Sequence, residues 1–323
     1  MEAGDRWLLA WGLGYVAVGT ASLLVPLYAV SLGAGAFLVG VLAATAAFAA
    51  VPGALLWGWL ADRTGRRRVF VLVALVATAG VLAVAPLVDS PWPLVALNTL
   101  LWFVVSAAAP VLNLLVVDGF RQSEWESRIG SLNAWQGYGW VGGLLLGSVW
   151  IPLAGSLVGA GPARTWLFWL AALAAAVGAL GALKTLPRET RVRPERLDVP
   201  DLLARMDRGS GRYVRAVPFA TTRLYWAIRS LGPRRLWARL PRRLQLYLVA
   251  VGVFSAGFAA FWGPLPAYLS GFYADERVFW FFLATNAASA AVFTRVGALS
   301  VDHGARRLQS GALVARALLF PIV

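Results

Sequence analysis

The chain has 323 residues, 59% of them apolar and only 14% charged, with a mean hydropathy of +0.69. A soluble domain is about half apolar and a quarter charged, so this balance excludes an ordinary soluble globule, and it excludes disorder, which needs the reverse. There is no cysteine, one histidine (His303) and one lysine (Lys184, which follows Leu183). These counts exclude disulfides, thiolate catalysis, a multi-histidine metal centre and the phosphate loop whose lysine must follow glycine; no cofactor or metal is expected.

A bilayer-spanning helix needs about 20 mostly apolar residues. Such runs cover 7–30, 37–57, 69–88, 94–117, 131–153 and 166–183, then 244–269 and 278–299, and residues 311–323 begin a ninth. The first run is too long for a signal-peptide core, and no small-residue cleavage pattern follows it. The chain therefore divides into an N-terminal six-helix bundle (1–183), a basic linker (184–243) and a partial C-terminal bundle (244–323). The fold class is an all-α polytopic membrane protein.

The net charge of +14 has two readings, nucleic acid or membrane topology, and its placement decides between them. With the N-terminus inside, 25 of the 29 basic residues fall on inner segments and two, Arg164 and Arg277, on outer ones. That asymmetry is the positive-inside pattern and requires no nucleic acid. It places the N-terminus and the linker in the cytoplasm of a cell-membrane protein. The linker holds six prolines, which break any long helix. Its short arginine-aromatic pieces, such as 223–229, fit either a solvated connector or a segment lying on anionic lipid.

A shift of 240 residues carries Pro26 and Tyr28 onto Pro266 and Tyr268, and Asp62, Arg66 and Arg67 onto Asp302, Arg306 and Arg307. Both copies place Pro-x-Tyr near the outer end of an odd-numbered span and the Asp-Arg pair in the next inner loop. Two parallel repeats of this kind are a plan of secondary transporters.

The loop after the second span reads Gly58-Trp-Leu-Ala-Asp62-Arg63-Thr-Gly65-Arg66-Arg67-Arg68. It resembles the signature loop G-x-L-a-D-r-x-G-r-r of the major facilitator superfamily, and the chain is identified as similar to that family over its whole length. The stretch Pro26–Gly33 is most similar to the drug-exporter branch. The resemblance implies the superfamily fold, with a six-helix first half and spans seven, eight and the start of nine in the second. It implies alternating-access transport of a small molecule, with export as the direction of that branch. It also implies a conformational latch of Gly58, Asp62, Arg63, Gly65, Arg66 and Arg67 with Asp118, and the repeat positions Asp302, Arg306 and Arg307, which holds the outward-open state. The physics of the loop stands beside this. Gly58 permits close approach of helix ends, Gly65 permits a positive-φ turn, and Asp62 and Arg66 can pair across it. Arg67 and Arg68 are expected at the lipid phosphates. Two positions depart from the antiporter pattern: the fourth span has no arginine, and Tyr138–Gly143 lacks the expected proline. Both weigh against proton antiport.

Polar and aromatic side chains within spans are the candidates for substrate binding, since such groups are costly against lipid. Asn98, Trp102, Ser106, Ala109 and Asn113 share one face of a continuous fourth helix. Tyr15, Gln136, Trp262 and Asn286 join them from the first, fifth, seventh and eighth spans. Interhelical hydrogen bonding is the alternative role for each of these polar groups. The set is neutral and aromatic, so the expected substrate is a neutral or amphipathic compound. Membrane lipids are the other expected partner, and a full-length chain is expected to be monomeric. A membrane enzyme acting on lipid-linked substrates is the rival reading. It would need clustered acids that hold a metal-bound diphosphate, and the only pair of that type, Asp198-Val-Pro-Asp201, lies in the linker with a proline inside it. A second half that stops within its ninth span is expected to bind weakly and not to transport, which makes a non-transporting fragment the other alternative.

Overall fold

The computed structural model describes residues 6–117, 124–186, 242–303, 310–311 and 314–315. Every regular element among them is helical: α1 (Arg6–Ser31), α2 (Ala36–Thr64), α3 (Arg67–Val84), α4 (Pro91–Val105), α5 (Ala108–Val117), α6 (Trp125–Val158), α7 (Ala160–Thr185), α8 (Arg242–Trp262), α9 (Leu265–Ser270) and α10 (Asp275–His303). Most of the linker, Asp118, Arg306, Arg307 and most of the expected ninth span lie outside the described residues.

Chain breaks follow local chemistry. Gly33, Gly65 and Gly159 have φ of +86°, +67° and +88° and end α1, α2 and α6. At Gly65 the backbone N–H bonds the Ala61 carbonyl at 2.9 Å, which closes the signature loop as a left-handed helix cap. Pro91 opens α4 and Pro264 precedes α9, positions that need no helical N–H. The fourth span departs from expectation. It is two helices, α4 and α5, broken at Ser106 and Ala107. Pro110 has no N–H to offer the Ser106 carbonyl, and its ring crowds that carbonyl. The shared face proposed for Asn98 through Asn113 is therefore interrupted.

Seven stretches among the described residues are long and apolar enough to cross a bilayer, with α4 and α5 making one and α8 and α9 another. The expected eighth span corresponds to α10, which is less apolar than these seven and starts with Asp275, Glu276 and Arg277. The bundle has a basic end, where Arg6, the Gly65 loop and Lys184 gather, and a far end, where α6 turns into α7 and α10 begins.

Within lipid there is no hydrophobic drive between helices, so close packing and small residues determine the contacts. α1 is the most buried span and packs against α6 and α7, while α2 packs on α4, α3 on α7 and α10 on α6. The α1–α6 crossing brings backbones together. A Cβ at Gly143 would collide with the Val16 carbonyl and sit 2.9 Å from Gly19. Beside it the Thr20 hydroxyl donates to the Gly143 carbonyl at 3.1 Å. One turn further along α6, the Phe279 ring occupies the notch left by Gly147. Gly58 does not behave as expected. A Cβ there would meet Pro110 at an ordinary 3.7 Å, and the tight point of α2 is Gly53, against the Phe103 carbonyl (2.8 Å) and Ser106.

Two cores result. The basic-end core, including Trp7, Trp11, Phe70, Leu75, Leu112 and Leu132, is drawn from α1–α7, the Ala107 break and the adjoining Leu186. The far-end core also holds Val278, Phe279 and Phe282 of α10, with Trp262 and Leu265 packed against it. Among the described residues the two halves share a core at the far end alone.

Candidate functional site

Among the described side chains of α8 none is fully buried, and Phe261 and Trp262 at the far end are half-buried. There Gly263 backs onto Ala43 of α2, and α9 touches α1. Among the described residues the two halves therefore share their buried packing at the far end. The seal has a polar component. Arg164 near the start of α7 donates its Nε–H to Asp275 Oδ2 of α10 at 2.6 Å, with the side chains 23% and 11% exposed. Sequence reasoning used Arg164 only as a topology marker. The available signal was that one of just two outer cations has acids on the opposite outer loop.

The wall of α8 is aromatic. Phe254, Phe258 and Trp262 form a ladder with ring centroids 6.2 and 5.6 Å apart, and Trp262 meets Phe282 edge-on at 5.7 Å. Of these rings, Trp262 is the one expected from the sequence as a binding residue. In the first half, half-buried Tyr15 lies 5.6 Å from Trp11 and sits over Gly139, one turn from half-buried Gln136. The Trp11 indole N–H is buried with no acceptor among the described residues. Trp102 and Asn113 are half-buried on α4 and α5.

Three sequence-predicted site residues have their polar atoms engaged within the helix bundle. Asn98 is 5% exposed, and its amide donates to the Leu42 carbonyl of α2 at 3.2 Å, joining two helices. The Ser106 hydroxyl returns to the Phe103 carbonyl at 2.7 Å, at the break and against Gly53. Asn286 donates to the Phe282 carbonyl of its own helix at 2.8 Å. For Asn98 this is the interhelical role weighed above as the alternative to substrate binding, whereas the Ser106 bond stays within its own turn.

In the signature loop Arg63 is exposed and lies 5.3 Å from the Trp59 ring centroid, a cation–π distance. The Arg66 N–H reaches the Thr64 hydroxyl at 3.4 Å. Arg68 donates to the Leu183 carbonyl near the end of α7. The side chains of Asp62 and Asp302 lie outside what is described, as do Asp118, Arg306 and Arg307. No group of three or more metal-binding side chains occurs among the described residues.

A polytopic helical bundle whose two halves meet at one end around neutral and aromatic groups has the form of a secondary transporter. The profile of the Major Facilitator Superfamily matches residues 7–323, and the chain belongs to that family. It is a multi-pass membrane protein of a transporter family. Its fold is similar to the crystal structure of a point mutant of the nucleoside transporter NupG, with a TM-score of 0.59 and 15% identity, over 94% of this chain and 69% of that one. None of the curated proteins matches the sequence.

Proposed function

We propose that the protein moves a neutral, partly aromatic small molecule by alternating access, and that the structure corresponds to its cytoplasm-open state. The observation that carries this reading is the far-end seal: Phe279 in the Gly147 notch and Arg164 on Asp275, where, among the described residues, the two halves share their one common core. The excess of arginine at the basic end supports placing it in the cytoplasm of a cell-membrane protein.

Tyr15, Trp102, Asn113, Gln136 and Trp262 are the residues we assign to the substrate, with Asn286 turning toward it when its intrahelical bond is released. They offer stacking faces and neutral hydrogen-bonding groups. Nothing among them neutralises a strong charge, so a charged substrate is disfavoured. The signature loop is the counterpart of the far-end seal: Asp62 with Arg66 and Asp118, and the repeat positions Asp302, Arg306 and Arg307, close the basic end in the opposite state. The similarity of Pro26–Gly33 to exporters favours outward movement.

Nucleosides are the first probe, being neutral, planar and rich in hydrogen-bonding groups. Uridine and adenosine flux in everted vesicles, beside a panel of uncharged aromatic amphiphiles, tests the reading. Saturable accumulation of a neutral compound, lost in Trp262→Ala and Gln136→Ala, is the expected result. Saturable flux confined to anionic compounds would overturn it.

A further inference from the structure

A second site lies away from the cavity, on the outward face of the α1–α7 pair. There the helices leave a cleft of about 420 Å³ at the basic end. Ala10 and Gly181 form its floor; a Cβ at Gly181 would stand 3.0 Å from that of Ala10, so the hollow exists because both positions are small. Leu13 and Leu180 form exposed apolar walls. Arg6 and Lys184 stand at its rim, both exposed and neither with a carboxylate partner among the described residues. Leu183, next to Lys184, carries the Arg68 guanidinium on its carbonyl, so a third cation adjoins the rim.

The chemistry of this cleft runs from cationic to greasy over about 10 Å, the rise from Arg6 to Leu13. That order matches one molecule of the surrounding solvent, a phospholipid with its phosphate at the rim and the start of an acyl chain between the leucines. Two cations at one rim favour a net negative headgroup over a zwitterionic one, as basic pockets between membrane helices do. We infer that the α1–α7 cleft is a binding site for an anionic glycerophospholipid, held by Arg6 and Lys184 over the Ala10–Gly181 floor. A soluble peptide does not fit, because the exposed leucine walls belong to helices long and apolar enough to cross a bilayer. The site is independent of what the central cavity carries.

The test uses the full chain in nanodiscs containing phosphatidylglycerol or phosphatidylcholine with a photoreactive group near the top of one acyl chain. Cross-links are mapped by mass spectrometry. Phosphatidylglycerol is expected to label the segments around Leu13 and Leu180 in preference to phosphatidylcholine. The double variant Arg6→Gln, Lys184→Gln should lower that preference by about thirtyfold, the change for two surface cations. The swap Arg6→Lys, Lys184→Arg should keep it. Leu180→Trp, which fills the cleft at an exposed position and retains both cations, should lose the label while melting like the native protein. Equal labelling by the two lipids overturns the inference, and so does unchanged preference in the Gln variant. Absence of lipid label, as when linker residues fill the cleft, overturns it too.

Discussion

Removing the Arg164 guanidinium isolates one contribution to the far-end seal. Arg164→Ala leaves Asp275, only 11% exposed, without the donor that stands 2.6 Å away. A hydrogen bond to a charged group contributes about 1.5–3 kcal/mol. Both side chains are mostly shielded from solvent, so about 2 kcal/mol is a reasonable share for this one, or about a thirtyfold shift in the ratio of far-end-closed to far-end-open states. Because the native chain has no cysteine, spin labels can be placed cleanly at Val158→Cys and Phe272→Cys, both exposed at the far end. Pulsed-EPR distances across this pair should show one short population in the parent and an added longer one in Arg164→Ala. The exchange Arg164→Asp, Asp275→Arg should restore the short population. Identical distributions for parent and Arg164→Ala would refute the claim that this pair holds the halves together.

Gly143→Val forces a branched side chain into the Val16 carbonyl and should destabilise the bundle by about 1–3 kcal/mol or prevent its folding, by the cost of overpacking, as read by thermal melting in detergent. Asn98→Ala and Gln136→Ala should separate stability from binding: the first lowers the melting temperature with KM retained, and the second abolishes saturable uptake with the melting temperature nearly unchanged. An impermeant maleimide applied to intact cells should label Leu157→Cys at the far end and spare Thr64→Cys at the basic end; the reverse pattern would invert the proposed orientation.

The spans were legible because lipid imposes a coarse rule, an apolar run of sufficient length, and the first six runs each contain the core of an observed helix. The turn at Gly65 was legible because only a few residue types tolerate positive φ. The break in the fourth span was harder to see. Pro110 alone does not say whether a membrane helix kinks or stops, and the asparagine–tryptophan spacing suggested a continuous face. Asn98 was legible as an intramembrane polar group, but its partner is a backbone carbonyl, and backbone acceptors are invisible in a pattern of side chains. The Arg164–Asp275 pair joins residues 111 positions apart. Nothing local marks such a meeting, since it depends on how α6, α7 and α10 stack.

The glycines at 139, 143 and 147 lie on one face of α6, yet they meet different neighbours. The first two carry the α1 backbone, and the third receives a single ring from α10. A helix face stripped of side chains has no ridges to interlock with, so withdrawal of α10 requires no rotamer change on α6. The ring of Phe279 leaves a smooth surface, and α1 keeps its own seats one and two turns away. α6 can thus serve as a bearing, fixed to one half by backbone contact and only lightly keyed to the other.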